Sequence, residues 1–476
     1  MKTKNNFIKS VFTVIFSNIF ILLSGVLVGF VLPKIMGVDE YGYYKLFMLY
    51  ATYIVLLYFG LADGMLVKYG GQDDTQIDKF KIQYITKFFI KMEIVVSVVM
   101  FICCACFLQG EYRQIFLLLS IFTLLSNIVT YYRYLAQAML KFDLISRVNM
   151  LQSLLTCLIV IICFSIVKLK LLSPLPAVVY LILFLVVFLI LLIVLHSSLK
   201  KTLSINKKLL RETVTNKSIV ELFKLGIPVA ISYQIGTFIL NIDNQLISMF
   251  FDNRLFGIYS FAYSLISIIS TVIVPISTVI FPFLNRQSEN TVMGQYSFNT
   301  AILFIFIYAS LTVYYPVRLF IEWYLPNYDE SLIIFRLLLP GVGVSSCISI
   351  LVFNYYKVIK KSNVYLVQGI VTLIGSLVLN LIGYYLTKSA IVIAVISLIV
   401  LFCWYVFTNT YFIQKYKIDW RKNTFYLGGM ILVFELTTQI SNIWISLIIY
   451  LVIYTILTLC VYHVELKRIL KVFLKR

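Results

Sequence analysis

Apolar residues run along this chain in stretches too long for a soluble core. Up to position 195 six such runs recur, near 8–32, 43–67, 84–108, 114–139, 148–167 and 175–195. A helix rises about 1.5 Å per residue, so about 20 apolar residues cross a hydrocarbon core. A more polar stretch follows from His196 to Ser218. Eight further runs lie near 220–250, 255–283, 296–316, 331–355, 364–386, 389–412, 424–440 and 443–462. The pattern predicts an all-α polytopic membrane protein of about fourteen transmembrane helices. It excludes a β-barrel, because the apolar residues run continuously instead of alternating. The connections are short and leave no room for a soluble catalytic domain.

Composition agrees. Hydrophobic residues make up 61% of the 476 and charged residues 13%, with a mean hydropathy of +0.96. A soluble domain carries roughly 25% charged residues, so most of this surface must meet lipid. A cytosolic enzyme, a fibrous protein and a disordered chain are excluded. Forty Lys plus Arg against twenty Asp plus Glu leave a net charge of +20. In a soluble protein that would suggest nucleic acid, but here it follows the retention of basic residues in cytoplasmic loops. With the N-terminus placed in the cytoplasm, the cytoplasmic segments hold 28 Lys and Arg and the outer connections seven, among them Lys34, Arg113, Arg254 and Lys388. Both termini are then cytoplasmic, in a bacterial plasma (inner) membrane. The first run lacks an A-x-A-like cleavage site and reads as an anchor. All eight cysteines lie within apolar runs, without paired CxxC units, so neither a disulfide frame nor a metal site is expected.

The chain also repeats itself. At an offset of 215, Lys9, Val14 and Ser17 meet Lys224, Val229 and Ser232, and Tyr41-Gly42-Tyr43-Tyr44 meets Phe256-Gly257-Ile258-Tyr259. At 216, Lys141, Ser146, Val148 and Gln152 meet Lys357, Ser362, Val364 and Gln368. Six spans per copy is an even number, so the copies enter the membrane in the same sense, as parallel repeats do in transporters. The domain reading is a six-helix lobe over 1–200, a cytoplasmic linker over 201–218, and a second six-helix lobe over 219–415. Two appended helices with a basic tail occupy 416–476.

Three stretches carry a family likeness: Leu32-Pro33-Lys34-Ile35-Met36-Gly37-Val38-Asp39-Glu40-Tyr41-Gly42 after span one, Phe223-Lys224-Leu225-Gly226-Ile227-Pro228 with Asn241-Ile242-Asp243-Asn244-Gln245 in span seven, and Arg254-Leu255-Phe256-Gly257-Ile258-Tyr259-Ser260 opening span eight. They resemble the polysaccharide-transport branch, the Wzx-type flippases, of the multidrug/oligosaccharidyl-lipid/polysaccharide (MOP) exporter superfamily. The resemblance implies two six-helix lobes forming an inverted V that opens alternately inward and outward. The cargo it implies is an undecaprenyl-diphosphate-linked oligosaccharide repeat unit, carried to the outer leaflet for O-antigen, capsule or other surface polysaccharide, including lipopolysaccharide. The partners it implies are that lipid-linked sugar, membrane lipids, a polysaccharide polymerase and a chain-length regulator, with no nucleic acid and no cofactor.

Charged side chains inside spans are costly and so mark candidate sites. Arg133, flanked by Tyr131, Tyr132 and Tyr134, has the fork geometry for a diphosphate, with aromatic faces beside it for sugar rings. The opposing reading is an arginine that pairs with a carboxylate such as Asp63. Arg336 precedes Pro340-Gly341-Val342-Gly343, a helix break of the kind that persists at membrane depth only in a cavity lining or within protein. Lys45 is either a lumen cation or an interface anchor. On span seven, Gln234, Thr237, Asn241, Asn244 or Gln245, and Ser248 fall at spacings of three and four, one polar stripe. It faces either sugar hydroxyls or a neighbouring helix. Asp243 lies half a turn away, against a packed neighbour, as a structural pair or a proton or cation site. Glu435 in span thirteen stands similarly isolated.

No P-loop motif occurs. The two histidines, His196 and His463, lie at cytoplasmic span ends, which argues against a membrane acyltransferase. The leading reading is a transporter with no catalytic residues. The alternatives are a peptidoglycan-precursor flippase, a cation-coupled multidrug exporter, and a polyprenyl-sugar glycosyltransferase or polymerase using Asp39 and Glu40. The short outer loops weigh against the last.

Overall fold

Backbone that enters lipid must satisfy its own hydrogen bonds, and helices do so residue by residue. The computed structural model describes the backbone of residues 2–70, 79–203, 216–284 and 288–474, and the side chains of these except 2–18, 201–203, 216–217, 270–283 and 469–474. Within them the structure is helical, with no strand. The fourteen predicted runs are largely helical, the second and tenth being interrupted. Eleven helical segments among the described residues are long and apolar enough to span a bilayer. Residues 204–215 of the linker read at 201–218, with Lys207, Lys208 and Arg211, lie outside the described residues.

The helices are α1 (Lys2–Ala51), α2 (Leu61–Tyr69), α3 (Lys79–Phe107), α4 (Gly110–Ala138), α5 (Phe142–Lys168), α6 (Ala177–Leu203) and α7 (Asn216–Phe250). There follow α8 (Asn253–Leu284), α9 (Glu289–Ser310), α10 (Tyr314–Tyr324), α11 (Ser331–Leu338), α12 (Gly341–Cys347) and α13 (Phe353–Val358), then α14 (Ser362–Thr387), α15 (Ala390–Tyr416), α16 (Arg421–Thr437) and α17 (Ile443–Leu474). The chain divides into two compact units, Met1–Gln234 and Ile235–Arg476, which meet within α7.

In the first unit, α1 packs along α5, α3 against α4, and α4 against α6. Its core is aromatic: Phe122 meets Phe47 at 5.2 Å and Phe188 at 4.7 Å, and Phe89 stacks on Tyr131 at 4.5 Å. The outer surface inverts a soluble helix. Val95, Val98, Val99 and Ile102 on α3 are exposed at spacings of three and four, a stripe suited to lipid. In the second unit α14 packs on α15, α11 on α8 and α15, and α17 on α9 and α16.

Details depart from the uniform spans of the sequence pattern. The first two predicted spans share the continuous α1, which turns at Gly37, where φ is 75°. Only glycine adopts that conformation without strain. The second span then opens: a 3-10 turn at Ile54–Tyr58 leads through Phe59 and Gly60, both at positive φ, into α2. Span ten comes in pieces, α11, α12 and α13, with a π-helical turn at Ile348–Val352. Pro340 lacks an amide hydrogen and so interrupts the helical ladder at this point. The outer connection between the ninth and tenth predicted spans, near 317–330, holds most of α10 and a 3-10 turn at Pro326–Tyr328.

Candidate functional site

The opening in span two leaves carbonyls without helical partners, and side chains from other helices of the first unit supply donors. Gln234 Nε2 donates to the Thr52 carbonyl at 3.1 Å, and Asn127 Nδ2 to that of Ile54 at 3.3 Å. Backbone closeness fixes the crossing of α2 with the first half of α7. A Cβ built on Gly226 meets the Gly60 carbonyl, and one on Gly64 meets the Leu222 carbonyl. Gly60 itself has φ 72°.

Around this break the first unit gathers its polar residues. Arg133, on α4, donates from Nη2 to Gln152 Oε1 on α5 at 2.6 Å. Its Nε is buried with no partner. No carboxylate pairs with it among the described residues. Asp63 is not its partner: burial near the start of α2 places that carboxylate beside the hydroxyls of Tyr58 and Tyr134 instead, and its Oδ2 is buried without a partner. Tyr134 thus bonds to Tyr58 in the neighbourhood of Asp63, whereas Tyr131 is fully buried, bonded to Thr86 at 2.9 Å and stacked on Phe89. Tyr131 therefore belongs to the packing of α3 on α4. Tyr132 bonds to His196 Nδ1 at 3.0 Å. Lys45 is half-buried, its ammonium 5.5 Å from the ring centroids of both Tyr41 and Tyr44, a cation–π cradle with no carboxylate pairing among the described residues.

In the second unit, Asp243 turns to α8. It accepts from Tyr259 at 2.8 Å, from Tyr263 at 2.6 Å and from the Asn244 amide at 2.7 Å. Asn244 Oδ1 accepts from Ser260 at 2.9 Å. Asn241 Nδ2 donates to the Thr237 carbonyl at 2.8 Å, and Ser248 to that of Gln245 at 2.7 Å. The stripe residues Thr237, Asn241 and Gln245 keep partial exposure, while Gln234 and Asn244 are buried in bonds to neighbours.

Glu435 is not isolated. Arg336 Nε lies 3.9 Å from its Oε2, because the pieces of span ten bring Arg336 against α16. Arg336 lines a cleft of about 430 Å³ bordered by Tyr314, Arg318, Asp329 and Gln439. Arg318 there pairs with Glu322 at 2.7 Å. Partial burial, with Glu322 nearby, raises the Asp329 carboxyl above its ordinary value. Among the described residues, Arg336 thus has an acid within reach and Arg133 has none.

Glu93 and Asn127, both fully buried in the first unit, escaped the sequence reading. Asn127 Nδ2 also donates to Glu93 Oε2, at 2.8 Å. The available signal was a lone acid inside the predicted span 84–108. Lys91 beside it reads as the interfacial end of that span and masks it.

Residues 7–288 match the family model described as polysaccharide biosynthesis protein, more than half of the chain. The chain belongs to the polysaccharide biosynthesis protein family. No curated protein matches the sequence of this family member. Among solved structures it is similar to the lipid II flippase MurJ in an inward closed conformation, with a TM-score of 0.67 and 16% identity over 96% of this chain and 99% of that one. It is similar also to an inward-facing multidrug resistance MATE family transporter of the MOP superfamily, at 0.61 and 11% over 84% and 96%. A mutant of the Vibrio cholerae MATE transporter VcmN follows, at 0.55 and 12% over 87% and 99%. At such identities the likeness establishes the fold alone, one shared with these MurJ and MATE structures and in keeping with the resemblance carried by spans one, seven and eight. The family match and the eleven apolar helices among the described residues make this a multi-pass membrane protein of the polysaccharide biosynthesis protein family.

Proposed function

We propose that this chain is a flippase that carries polyprenyl-diphosphate-linked oligosaccharide repeat units from the cytoplasmic to the outer leaflet of the bacterial plasma membrane. Both chain termini face the cytoplasm, and the cycle alternates access without covalent chemistry. The observation that carries the reading is Arg133, a guanidinium at membrane depth bonded to a neutral amide and matched by no acid among the described residues. A desolvated cation left without a counter-charge is unfavourable. An anion that enters beside it relieves that cost, and a diphosphate offers paired oxygens for the guanidinium fork. Lys45, over its two tyrosines, is a further cation without a carboxylate partner among the described residues, and Tyr134 offers a ring face to a sugar. In the second unit Thr237, Asn241 and Gln245 offer amide and hydroxyl groups to saccharide hydroxyls, and the cleft at Arg336 adds a further polar surface. For Arg133 to drive the cycle, its contact with the diphosphate must differ between the two access states.

Replacement of Arg133 by Ala is expected to abolish surface polysaccharide at an unchanged amount of membrane-inserted protein, and Arg133→Lys to restore it in part. Full polysaccharide in Arg133→Ala cells rejects the mechanism. The fold likeness to a lipid II flippase over nearly the whole chain supports a second reading, in which the lipid-linked cargo is a peptidoglycan precursor. Rescue of cells depleted of their lipid II flippase would select it.

A further inference from the structure

Glu93 sits in α3 with no exposed surface, and so does Asn127 facing it from α4. The Asn127 amide spends its two hydrogens on Glu93 Oε2 and on the Ile54 carbonyl. Two buried oxygens are left over, Glu93 Oε1 and Asn127 Oδ1, and neither has a partner. Among the described residues no Lys, Arg or His pairs with Glu93, and no cluster of three metal-ligating side chains exists. An ionised carboxylate would stand here in an apolar interior without counter-charge. Its two neighbouring acceptors would find no donor.

One hydrogen resolves both faults. A carboxylic acid donates through its O–H while its carbonyl oxygen accepts, and a primary amide does the reverse. With a proton on Oε1, Glu93 donates to Asn127 Oδ1 and accepts from Asn127 Nδ2, closing a cyclic acid–amide pair. We propose that Glu93 is a proton-binding site, occupied in this conformation and read out through Asn127 at the break in span two. A metal cation fits less well. Hard cations take about six oxygens, and two open oxygens shut away from water supply too few.

The site is wired to a bend in the chain. The second hydrogen of the Asn127 amide holds the Ile54 carbonyl, the first residue of the 3-10 turn. When the proton leaves, Oε1 and Oδ1 become opposed acceptors. The amide must then turn or separate, and the Ile54 carbonyl loses its donor. Proton release is thereby linked to rearrangement of the break. The other titratable groups packed around this region are Tyr58 and Asp63 from the break and α2, which bond to each other, and Tyr131 and Tyr134 from α4. Lys91 on α3 points outward, and α6, also packed on α3, is apolar from Leu181 to Leu195. None supplies a counter-charge to Glu93.

The internal repeat shows that the fold does not require an acid here. At offsets of 215 and 216, Glu93 and Asn127 correspond to Tyr308 and Gly343. Those two touch as well: a Cβ on Gly343 lies 2.9 Å from the Tyr308 hydroxyl. The second unit closes the equivalent crossing with a neutral pair, whereas the first places a titratable group there.

Infrared spectroscopy of the purified full-length chain in lipid nanodiscs tests the proposal without reference to cargo. At neutral pH the wild type is expected to show the carbonyl stretch of a protonated, buried carboxylic acid. Glu93→Gln, which keeps the shape and the amide pairing, is expected to lack that band, and Asn127→Ala to shift it. Glu93→Asp, with carbon-13 aspartate, provides a second assignment if Gln at this position fails to accumulate. A spectrum with only ionised carboxylates at this position overturns the proposal. So does a change that follows sodium concentration at fixed pH, which would make the ligand a metal cation.

Discussion

At the residue scale, the energetics turn on which buried charges have partners. Asp243 collects two phenol hydroxyls and a backbone amide. Hydrogen bonds to a charged group contribute about 1.5–3 kcal/mol each. Tyr263→Phe is therefore expected to lower thermal stability in detergent by about that amount, and Tyr259→Phe similarly. An unchanged melting temperature in both would mean that the cluster does not stabilise the fold. Arg336 and Glu435 make a looser pair. Each single replacement by a neutral isostere is expected to cost about 1–3 kcal/mol, less than a fully buried pair because both side chains keep some exposure. The double replacement is expected to cost less than the two singles together, and strict additivity would show that the pair does not interact. The sequence marked Arg133, Arg336 and Asp243, since a charge inside an apolar run is visible in one dimension. It did not show which acid would face which base. Asp63, proposed as a mate for Arg133, lies instead among tyrosines, because burial and a helix break set its direction.

At the element scale, the broken spans depend on glycine. Where α2 crosses the first half of α7, backbone meets backbone at Gly60, Gly64 and Gly226. The atoms in the way are carbonyls and cannot step aside as a side chain would. Gly226→Val is expected to destabilise by about 1–3 kcal/mol or more through overpacking, seen as reduced mature protein and a lower melting temperature. Gly294→Ala, on α9 with nothing within 4 Å, is expected to be neutral or stabilising by about 0.5–1 kcal/mol. Similar losses at the two positions would show that the close crossing is not what Gly226 serves. The positions of helices were readable because apolar runs of about 20 residues have one solution in lipid. The opening after Ala51 was not, since no proline marks it and its freed carbonyls are satisfied by Gln234 and Asn127 from distant positions in the chain.

For the whole molecule, the charge bias predicts sidedness. In a chain whose exposed native cysteines have been replaced, Arg113→Cys and Lys388→Cys are expected to react with an impermeant maleimide in intact spheroplasts. Lys360→Cys and Lys415→Cys are expected to react only after permeabilisation. The reverse pattern would invert the topology and with it the direction of transport proposed above. The two units differ in where helices open: the second predicted span is interrupted in the first unit, and the tenth, α11 to α13, which the expected repeat sets against the fourth, is interrupted in the second. Weak matches at fixed offset carry the expectation of a repeat but not which helix in each unit is broken.

Hydropathy and the distribution of Lys and Arg are properties of the chain read one residue at a time. They were enough to specify an all-helical protein in lipid and to expect both of its ends in the cytoplasm, because transfer energies add along a span whatever its neighbours are. Which polar groups are compensated is a property of pairs far apart in the chain. Packing alone left Arg133 beside an amide, gave Glu435 to Arg336, and set Glu93 against Asn127 with two oxygens wanting a single hydrogen. In a low-dielectric interior, a distance of a few ångströms to a partner separates a structural tie from a site that must bind something.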